Sequence, residues 1–219
     1  MNLSPQTQKR IQRMPNRSIG YRFIKRAFDI IASFLGLIIL SPILLITAIA
    51  IKIEDPKGKV FYNSLRGGQY GVPFLFYKFR SMYDDADEIK STLTEQNEMQ
   101  GPVFKIKNDP RVTRVGAIVR KTSIDELPQL VNVLQGNMSL VGPRPLVIEE
   151  ARAIPSQYKA REGVRPGLTC IWQVSGRNEV DFDDWMQMDL EYLRERSLGL
   201  DAKILLKTVP AVFSGRGAS

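Results

Sequence analysis

Two adjacent carboxylates, Asp125 and Glu126, lie between two arginines, Arg120 and Arg144. A carboxylate is stabilised near the N-terminus of a helix, where phosphate groups also bind well. Arg144 is flanked by prolines that restrict its turn, so its guanidinium can be held ready for an anion. The flanking prolines are Pro143 and Pro145. This combination suits chemistry on a phosphate group, whereas the two acids alone are equally typical of the first turn of a helix.

The other residue types restrict which groups can take part in catalysis. The chain has no histidine, which excludes His-based acid–base catalysis and most zinc sites. Its single cysteine, Cys170, excludes an internal disulfide framework and is most simply a small buried residue. Acid–base or nucleophilic chemistry therefore falls to Asp, Glu, Lys, Tyr, Ser or this one cysteine.

A helix is the element expected to position the two carboxylates. Ser123 and Glu126 have the spacing of a capping box, which predicts a helix N-terminus at this point. Apolar residues then recur at helical spacing and predict one packed face, formed by Leu127, Leu130, Val131 and Leu134. Gly136 predicts the end of this helix.

Two short strands are expected upstream, at residues 60–65 and 73–79, joined by a turn at Gly67 and Gly68. Lys78 and Arg80 lie at the end of the second strand. They are equally typical of a solvated strand edge and of a site for an anion. Together with the helix, these strands predict a small mixed α/β domain.

Residues 30–51 form an uncharged apolar run of 22 residues. As a helix this run would be about 33 Å long, enough to cross a bilayer. The preceding residues 1–28 hold seven basic residues and no acid, which is typical of a nucleic-acid-binding arm or of the cytoplasmic flank of a membrane segment. Because this charge adjoins the apolar run, membrane insertion is favoured over nucleic-acid binding and over a buried soluble helix.

Ser41 and Pro42 lie near the middle of the apolar run. Proline removes one helical hydrogen bond and kinks or breaks a helix. The pair is consistent with a kinked transmembrane helix or with a re-entrant hairpin that returns to the same leaflet. Near the C-terminus, residues 200–213 mix apolar residues with lysines and indicate either an interfacial helix or a packed soluble one.

An ordered series of motifs resembles the bacterial sugar transferases, the small monotopic phosphoglycosyl transferases of glycoconjugate assembly. Single motifs of this series are weakly specific, but the collinear set from about residue 20 to the C-terminus is highly specific. The set comprises KRAFD at 25–29, SP at 41–42, YKFRSM at 77–82, Arg120, DELPQL at 125–130, GPRP at 142–145, RPG at 165–167 and QVSGR at 173–177.

The resemblance implies transfer of a sugar 1-phosphate from a UDP-sugar to undecaprenyl phosphate, with release of UMP. It assigns Asp125 as the nucleophile of a ping-pong reaction through a phosphosugar–enzyme intermediate, with Glu126 as the second catalytic carboxylate. It also implies Mg²⁺ held by these two carboxylates, since the available ligands are oxygens. The substrate-binding residues expected from it are Lys78, Arg80, Arg120, Pro143, Arg144, Pro145, Gln173, Arg177 and Asp189. Of these, Gln173 and Arg177 are equally typical of a surface loop. Asp189 is a candidate either for a position behind the site or for a metal ligand.

The resemblance also implies an organisation. Because UDP-sugars are cytosolic, we expect a flexible basic arm at residues 1–19, a re-entrant membrane helix broken at Ser41 and Pro42 over residues 20–52, and a catalytic domain over residues 53–219. The domain is expected to be mainly helical α/β, with interfacial amphipathic helices, on the cytoplasmic face of the bacterial inner membrane. The membrane helices and extra domain that larger relatives carry before this core are not expected here.

The expected partners are a UDP-sugar, undecaprenyl phosphate and membrane lipid, and not nucleic acid. The insert around residues 84–109 resembles the branch that makes exopolysaccharide and O-antigen lipid intermediates, which favours UDP-galactose or UDP-glucose. The sequence leaves open whether the chain forms a homo-oligomer. Two other functions stay open at this point: a non-enzymatic membrane-anchored scaffold that binds anionic lipid, and a hydrolase of nucleotide-diphosphate sugars.

Overall fold

The computed structural model describes residues 18–89, 101–103, 106, 109–176 and 180–214. Residues 1–17, most of the predicted basic arm, lie outside this description. Ser18 accepts a hydrogen bond from the Tyr21 amide at 3.2 Å and caps the first helix, α1, which spans Ile19–Glu54.

Helix α1 is 36 residues long and unbroken, with Pro42 inside it. Proline cannot donate the bond that the Ile38 carbonyl would otherwise receive. The Ser41 hydroxyl donates to that carbonyl instead, at 2.7 Å, which explains why a serine precedes this proline. The helix is long and apolar enough to cross a membrane by length and composition, and most of its large apolar side chains are exposed. Its buried residues, at helical spacing, are Asp29, Ser33, Thr47 and Ile51.

The predicted hairpin is present. Strand β1, Phe61–Gly67, pairs antiparallel with β2, Pro73–Phe79. A 3₁₀ turn at Gln69–Gly71 joins them, in which Tyr70 and Gly71 both have positive φ. Along β2 the buried Phe74 and Phe76 share one face with Lys78, because side chains alternate between faces.

The remaining elements are short helices and one parallel strand pair. Strand β3, Ser139–Val141, pairs with β4, Gly167–Thr169. One 3₁₀ turn spans Ile124–Glu126, and another spans Lys159–Gly163. The helices are α2 (Ala86–Ile89), α3 (Arg114–Lys121), α4 (Gln129–Gln135), α5 (Ile148–Ala153), α6 (Ile171–Ser175), α7 (Phe182–Glu195) and α8 (Leu198–Ser214). The chain is thus mixed α/β and mainly helical.

The main core forms where the hairpin, α4, β3, α7 and α8 meet. Leu37 and Leu40 of α1 pack against it, so the membrane-length helix is part of the domain's packing. A second cluster lies under α7 and contains the ring contact between Trp172 and Trp185. The buried members of the main core are Phe74, Phe76, Leu130, Val133, Met138, Leu140, Val141, Tyr192, Leu193 and Ile204.

Candidate active site

The two carboxylates lie in the tight turn between α3 and α4. Ser123 has φ of 56° and its side chain caps nothing, so the predicted capping box is wrong. The left-handed backbone at Ser123 turns the chain sharply after α3, and a 3₁₀ turn then carries Asp125 and Glu126 ahead of α4. Asp125 is 3% exposed. The tight turn thereby buries a carboxylate that a regular helix N-terminus would have left nearer to solvent.

The packed face of α4 also differs from the prediction. Leu130 is buried as expected, but the other fully buried positions of this helix are Gln129, Asn132 and Val133. Leu127, Val131 and Leu134 are half-buried. The helix begins only at Gln129, after Pro128, and this delay rotates the buried face toward β2.

Lys78 provides the cation for Asp125. Its Nζ lies 2.6 Å from Asp125 Oδ2. Burial raises the pKa of Asp125 above its ordinary value, the nearby Glu126 adds to this rise, and Lys78 opposes it. Desolvation disfavours the ionised form of this carboxylate, and the adjacent ammonium group favours it.

Arg144 provides the cation for Glu126. Its Nη2 lies 2.5 Å from Glu126 Oε1. Burial alone would raise the pKa of Glu126, but the charge and hydrogen bond of Arg144 outweigh it and lower this pKa to about 2. Burial likewise disfavours the charge of Arg144, and Glu126 outweighs that effect, so the pKa of Arg144 rises. Two neighbouring carboxylates are therefore paired with cations from two different segments of the chain.

Donors from three other residues bind the backbone carbonyl groups of the loop that carries Arg144. Arg66 Nη1 donates to the Pro145 carbonyl at 3.1 Å, and Arg161 Nη2 donates to the Arg144 carbonyl at 2.6 Å. The Gly167 amide donates to the Pro143 carbonyl at 2.9 Å. A Cβ on Gly167 would lie 2.1 Å from the Gly142 amide nitrogen, so this close approach requires glycine. The expectation that Pro143 and Pro145 restrict the loop is consistent with these contacts.

Asp189 lies behind this loop, on α7. Its Oδ2 accepts a hydrogen bond from Arg161 Nε at 2.8 Å and forms an ion pair with Nη2 at 2.7 Å. Burial raises the pKa of Asp189 to about 6, against the opposing charge of Arg161. Both side chains are buried, so the structure places Asp189 one step away from the site, where it holds the arginine that holds Arg144.

Arg120 and Arg80, two of the expected anion-binding residues, differ in their positions. Arg120 is half-buried on α3. Burial lowers its pKa and the charge of Asp125 opposes this shift, so Arg120 lies near the turn that carries Asp125 and Glu126. Arg80 instead binds Asp55, at the end of α1, through an Nη1–Oδ2 contact of 2.5 Å. A Cβ on Gly58 would overlap the Arg80 guanidinium, so Gly58 leaves room for this ion pair.

The two expected nucleotide contacts are Gln173 and Arg177. Gln173 lies on α6, and its Oε1 is 2.9 Å from the Cys170 thiol. Arg177 lies outside the described residues.

Four charged residues of α1 bind the backbone of the segments that carry the site. Lys25 Nζ donates to the Val141 carbonyl at 3.1 Å, immediately before the Arg144 loop. Arg26 donates to the last carbonyls of α4, and Asp29 accepts from the Leu140 amide at 3.0 Å. At the other end of α1, Glu54 accepts from the first amides of α3.

The KRAFD motif alone does not indicate what Lys25, Arg26 and Asp29 bind. The residues predicted for the site also do not include Arg161 and Asn132. A usable signal was present for Asn132, since a polar residue in the middle of the apolar LVNVL run is costly unless it is bonded. No comparable signal marks Arg161, because its partners lie far away in sequence.

The carboxylate pair could hold a divalent cation together with a substrate. The ion pairs use Asp125 Oδ2 and Glu126 Oε1. The second oxygen of each carboxylate is the hard ligand that Mg²⁺ prefers, and Mg²⁺ commonly combines one or two carboxylates with substrate phosphates. Among the described residues no group of three or more His, Cys, Asp or Glu side chains could hold a metal ion by itself. The donor set therefore fits a cation that binds with a diphosphate.

Comparison with known proteins gives one family. The model of the bacterial sugar transferase family matches residues 20–215. The galactosyl transferase CpsE of Streptococcus agalactiae is 42% identical over 96% of this chain and 49% of its own length. The undecaprenyl-phosphate galactose phosphotransferase of Salmonella typhimurium is 43% identical over 90% of this chain and 42% of its own length.

A relative of similar size also matches. The exopolysaccharide production protein ExoY of Rhizobium meliloti is 42% identical over 89% of this chain and 87% of its own length. The chain thus spans about half the length of the two larger relatives and most of the smaller one.

Proposed function

The chain belongs to the bacterial sugar transferase family, and we propose that it transfers a hexose 1-phosphate from a UDP-sugar to undecaprenyl phosphate, with release of UMP. UDP-galactose and UDP-glucose are the proposed donors. Two relatives are named for galactose transfer and one for exopolysaccharide production, which supports this donor class and a role early in polysaccharide assembly.

The observation that carries the proposal is the pairing of two adjacent carboxylates with cations from separate segments. Lys78 binds Asp125 Oδ2 and leaves Oδ1 for attack. Because burial raises the pKa of Asp125, its ionised form is held by Lys78 in a weakly hydrated state, which suits a nucleophile. A non-enzymatic scaffold would have no need of this arrangement, and the acceptor of the phosphosugar, lipid phosphate or water, distinguishes a transferase from a hydrolase.

In the first half-reaction Asp125 Oδ1 attacks the phosphorus that carries the sugar. A bond forms between this oxygen and phosphorus, and the bond to the bridging oxygen of the diphosphate breaks. UMP leaves with the bonding electron pair, so no proton donor is required. Asp125 then carries the sugar phosphate as an acyl phosphate.

In the second half-reaction an oxygen of undecaprenyl phosphate attacks the same phosphorus. The bond to Asp125 breaks, the carboxylate is regenerated, and the product is an undecaprenyl-diphosphate sugar. Because UMP leaves before the lipid reacts, the kinetics are ping-pong. Arg144 and Arg120 would bind the phosphate oxygens, with Arg144 held in place through Arg161 and Arg66.

Mg²⁺ is the proposed cofactor. Asp125 Oδ1 cannot both attack phosphorus and hold a cation, so Glu126 Oε2 is the better carboxylate ligand, with Asp125 contributing before the attack. When bound, the ion would neutralise charge on the diphosphate oxygens. Glu126 keeps its own negative charge in this site because Arg144 lowers its pKa.

We also propose a monotopic arrangement in the bacterial inner membrane, with the active site on the cytoplasmic face. UDP-sugars are cytosolic, so the site must face the cytosol. The two ends of α1 contact the same domain, through Lys25 and Asp201 at one end and through Glu54 and Arg114 at the other. Contacts at both ends, and those of Leu37 and Leu40 beside Ser41–Pro42, support a continuous helix that stays on one side of the membrane, with its exposed apolar residues in the bilayer.

The test is UMP release from purified protein in detergent, with UDP-galactose and UDP-glucose, with and without undecaprenyl phosphate. Sustained release that requires the lipid, Mg²⁺ and Asp125 supports the transferase. Release at the same rate without lipid would identify a hydrolase. Absence of turnover by folded protein would leave the scaffold as the better account. The Asp125→Asn variant removes the nucleophile and is expected to be inactive.

A further inference from the structure

We propose that Asn132 is a positioning residue, which holds Lys78 against Asp125 by fastening the free edge of β2 to α4. This inference deepens the proposed function and rests on it for its kinetic consequence. Asn132 itself is fully buried on α4 and does not contact the carboxylates.

Both ends of the Asn132 side-chain amide bind the backbone of β2. Nδ2 donates to the Leu75 carbonyl at 2.7 Å, and Oδ1 accepts from the Tyr77 amide at 3.0 Å. These two atoms reproduce the pattern by which a neighbouring strand would pair with residues 75 and 77. One side chain thus takes the place of a third strand.

The edge that Asn132 covers is the one that β1 leaves open. The Arg80 amide donates to the Val60 carbonyl, which places the bonds of the even-numbered residues of β2 on the β1 side. Successive residues of a strand direct their N–H and C=O groups to opposite edges, so those of Leu75 and Tyr77 point away from β1. Without Asn132 these groups would lose their partners next to the core.

The position of β2 on α4 decides the position of Lys78. Lys78 directly follows Tyr77 in β2. The side chain of Lys78 lies on the same face of the strand as Phe74 and Phe76, which pack in the core with residues of α4. Asp125 lies on the turn just before that helix. The 2.6 Å contact between Lys78 and Asp125 therefore spans the junction between β2 and the α4 segment, at which the Asn132 amide is the polar link.

The other charged groups near Asp125 come from elsewhere. Glu126 lies on the same turn, Arg120 on α3 and Arg144 on the loop after β3. A displacement of β2 would change the contact with Lys78 directly, whereas Glu126 and Arg120 lie on other elements and Arg144 is reached only through Arg66 of β1. The expected defect is consequently in the reaction of Asp125 and not in the binding of the nucleotide sugar.

The kinetic test compares Asn132→Asp and Asn132→Leu with the wild type. Asn132→Asp keeps the acceptor for Tyr77 and loses the donor to Leu75, whereas Asn132→Leu loses both at similar volume. We expect kcat for UMP release to fall about tenfold or more, with KM for the UDP-sugar changed by less than about threefold. Combination with Lys78→Met should give little further loss, because both changes remove the same contact.

Asn137→Asp is the matched control. Asn137 is half-buried just after α4, and its Nδ2 donates to Gln135 Oε1 at 3.3 Å. Its backbone amide donates to the Asn132 carbonyl, a bond that the change to Asp leaves in place. The same chemical change there is expected to leave kcat within about twofold of the wild-type value, as is usual for surface positions away from a functional feature.

A second readout does not depend on turnover. The rate of acetylation of Lys78 relative to the exposed Lys121 is measured by mass spectrometry. Release of Lys78 from Asp125 should raise this ratio at least about threefold in both Asn132 variants and not in Asn137→Asp. An unchanged ratio, a rise in KM without a fall in kcat, or additive losses with Lys78→Met would overturn the proposal. If the ratio rises in the Asn132 variants while the wild-type protein turns over no donor, the positioning role is supported and the transferase is refuted.

Discussion

Replacing Glu126 with Gln tests the ion pair that holds Arg144. Burial would raise the pKa of Glu126, but Arg144 lowers it from an ordinary value of 4.5 to about 2. That difference of about 2.5 pKa units corresponds to about 3 kcal/mol at neutral pH. We therefore expect Glu126→Gln to lower the free energy of unfolding by about 2–3 kcal/mol. For a chain of this size the melting temperature should fall by about 4–12 °C.

The pH dependence of this loss has a definite sign. A carboxyl whose pKa is lower in the folded state stabilises the fold fully above its unfolded pKa and progressively less as the pH falls through the folded value. The difference in Tm between wild type and Glu126→Gln should be constant from pH 7 to about pH 5.5 and should shrink at lower pH. Gln keeps an oxygen acceptor for Arg144, so the experiment isolates the charge.

The assay is thermal unfolding in detergent, followed by the fluorescence of Trp172 and Trp185 in the second core cluster. Glu191→Gln, an exposed acid on α7, is the matched control and should change Tm by less than about 2 °C. Equal Tm for Glu126→Gln and this control at pH 7, or a difference that grows as the pH falls, would refute the reasoning.

Three further changes follow from the same contacts. Lys78→Met removes the charge that opposes the effect of burial on the pKa of Asp125, so the acid limb of the pH–rate profile for UMP release should move to higher pH; an unchanged limb would contradict the pairing. Asp189→Asn weakens the hold of Arg161 on the Arg144 carbonyl and should lower kcat about tenfold, measured beside the circular dichroism of the folded protein. Chelation with EDTA should abolish UMP release and added Mg²⁺ should restore it; activity that survives chelation would exclude a dissociable metal ion.

Local patterns predicted the hairpin well. Strand β2 has the expected bounds, and β1 begins one residue and ends two residues later than expected. Alternating apolar residues and a glycine turn are short-range signals, so they suffice for a two-stranded unit. The apolar run likewise predicted a membrane-length helix, because length and hydropathy are properties of the sequence alone.

For the turn that carries Asp125 and Glu126, the sequence predicted the residues of the site and not the backbone conformation. The Ser123 and Glu126 spacing of a capping box is a local pattern, yet the chain adopts a left-handed residue and a 3₁₀ turn there. Burial of Asp125 beside Lys78 is a tertiary contact that makes this tighter turn favourable. The stabilisation that an N-cap residue gives a helix is too small to outweigh such a contact.

The contacts of Asn132 and Arg161 could not be predicted from the sequence alone. Lys78 and Arg144 could be placed near the carboxylates through the resemblance, but Asn132 and Arg161 act on backbone groups more than 15 residues away. Their partners are decided by the packing of β2 on α4 and of α7 on the loop after β3. No spacing rule within the sequence encodes such pairings.

The central claim is that Asp125 forms a covalent bond to the transferred phosphate. Wild-type protein mixed with UDP-sugar and Mg²⁺ in the absence of lipid, then quenched and weighed by intact-mass spectrometry, tests it most directly. The expected result is a mass increase of one hexose phosphate, located on the peptide that contains Asp125, absent from Asp125→Asn and lost on addition of undecaprenyl phosphate. Lipid-dependent UMP release without any such adduct on the millisecond scale, or an adduct on a different residue, would contradict the account.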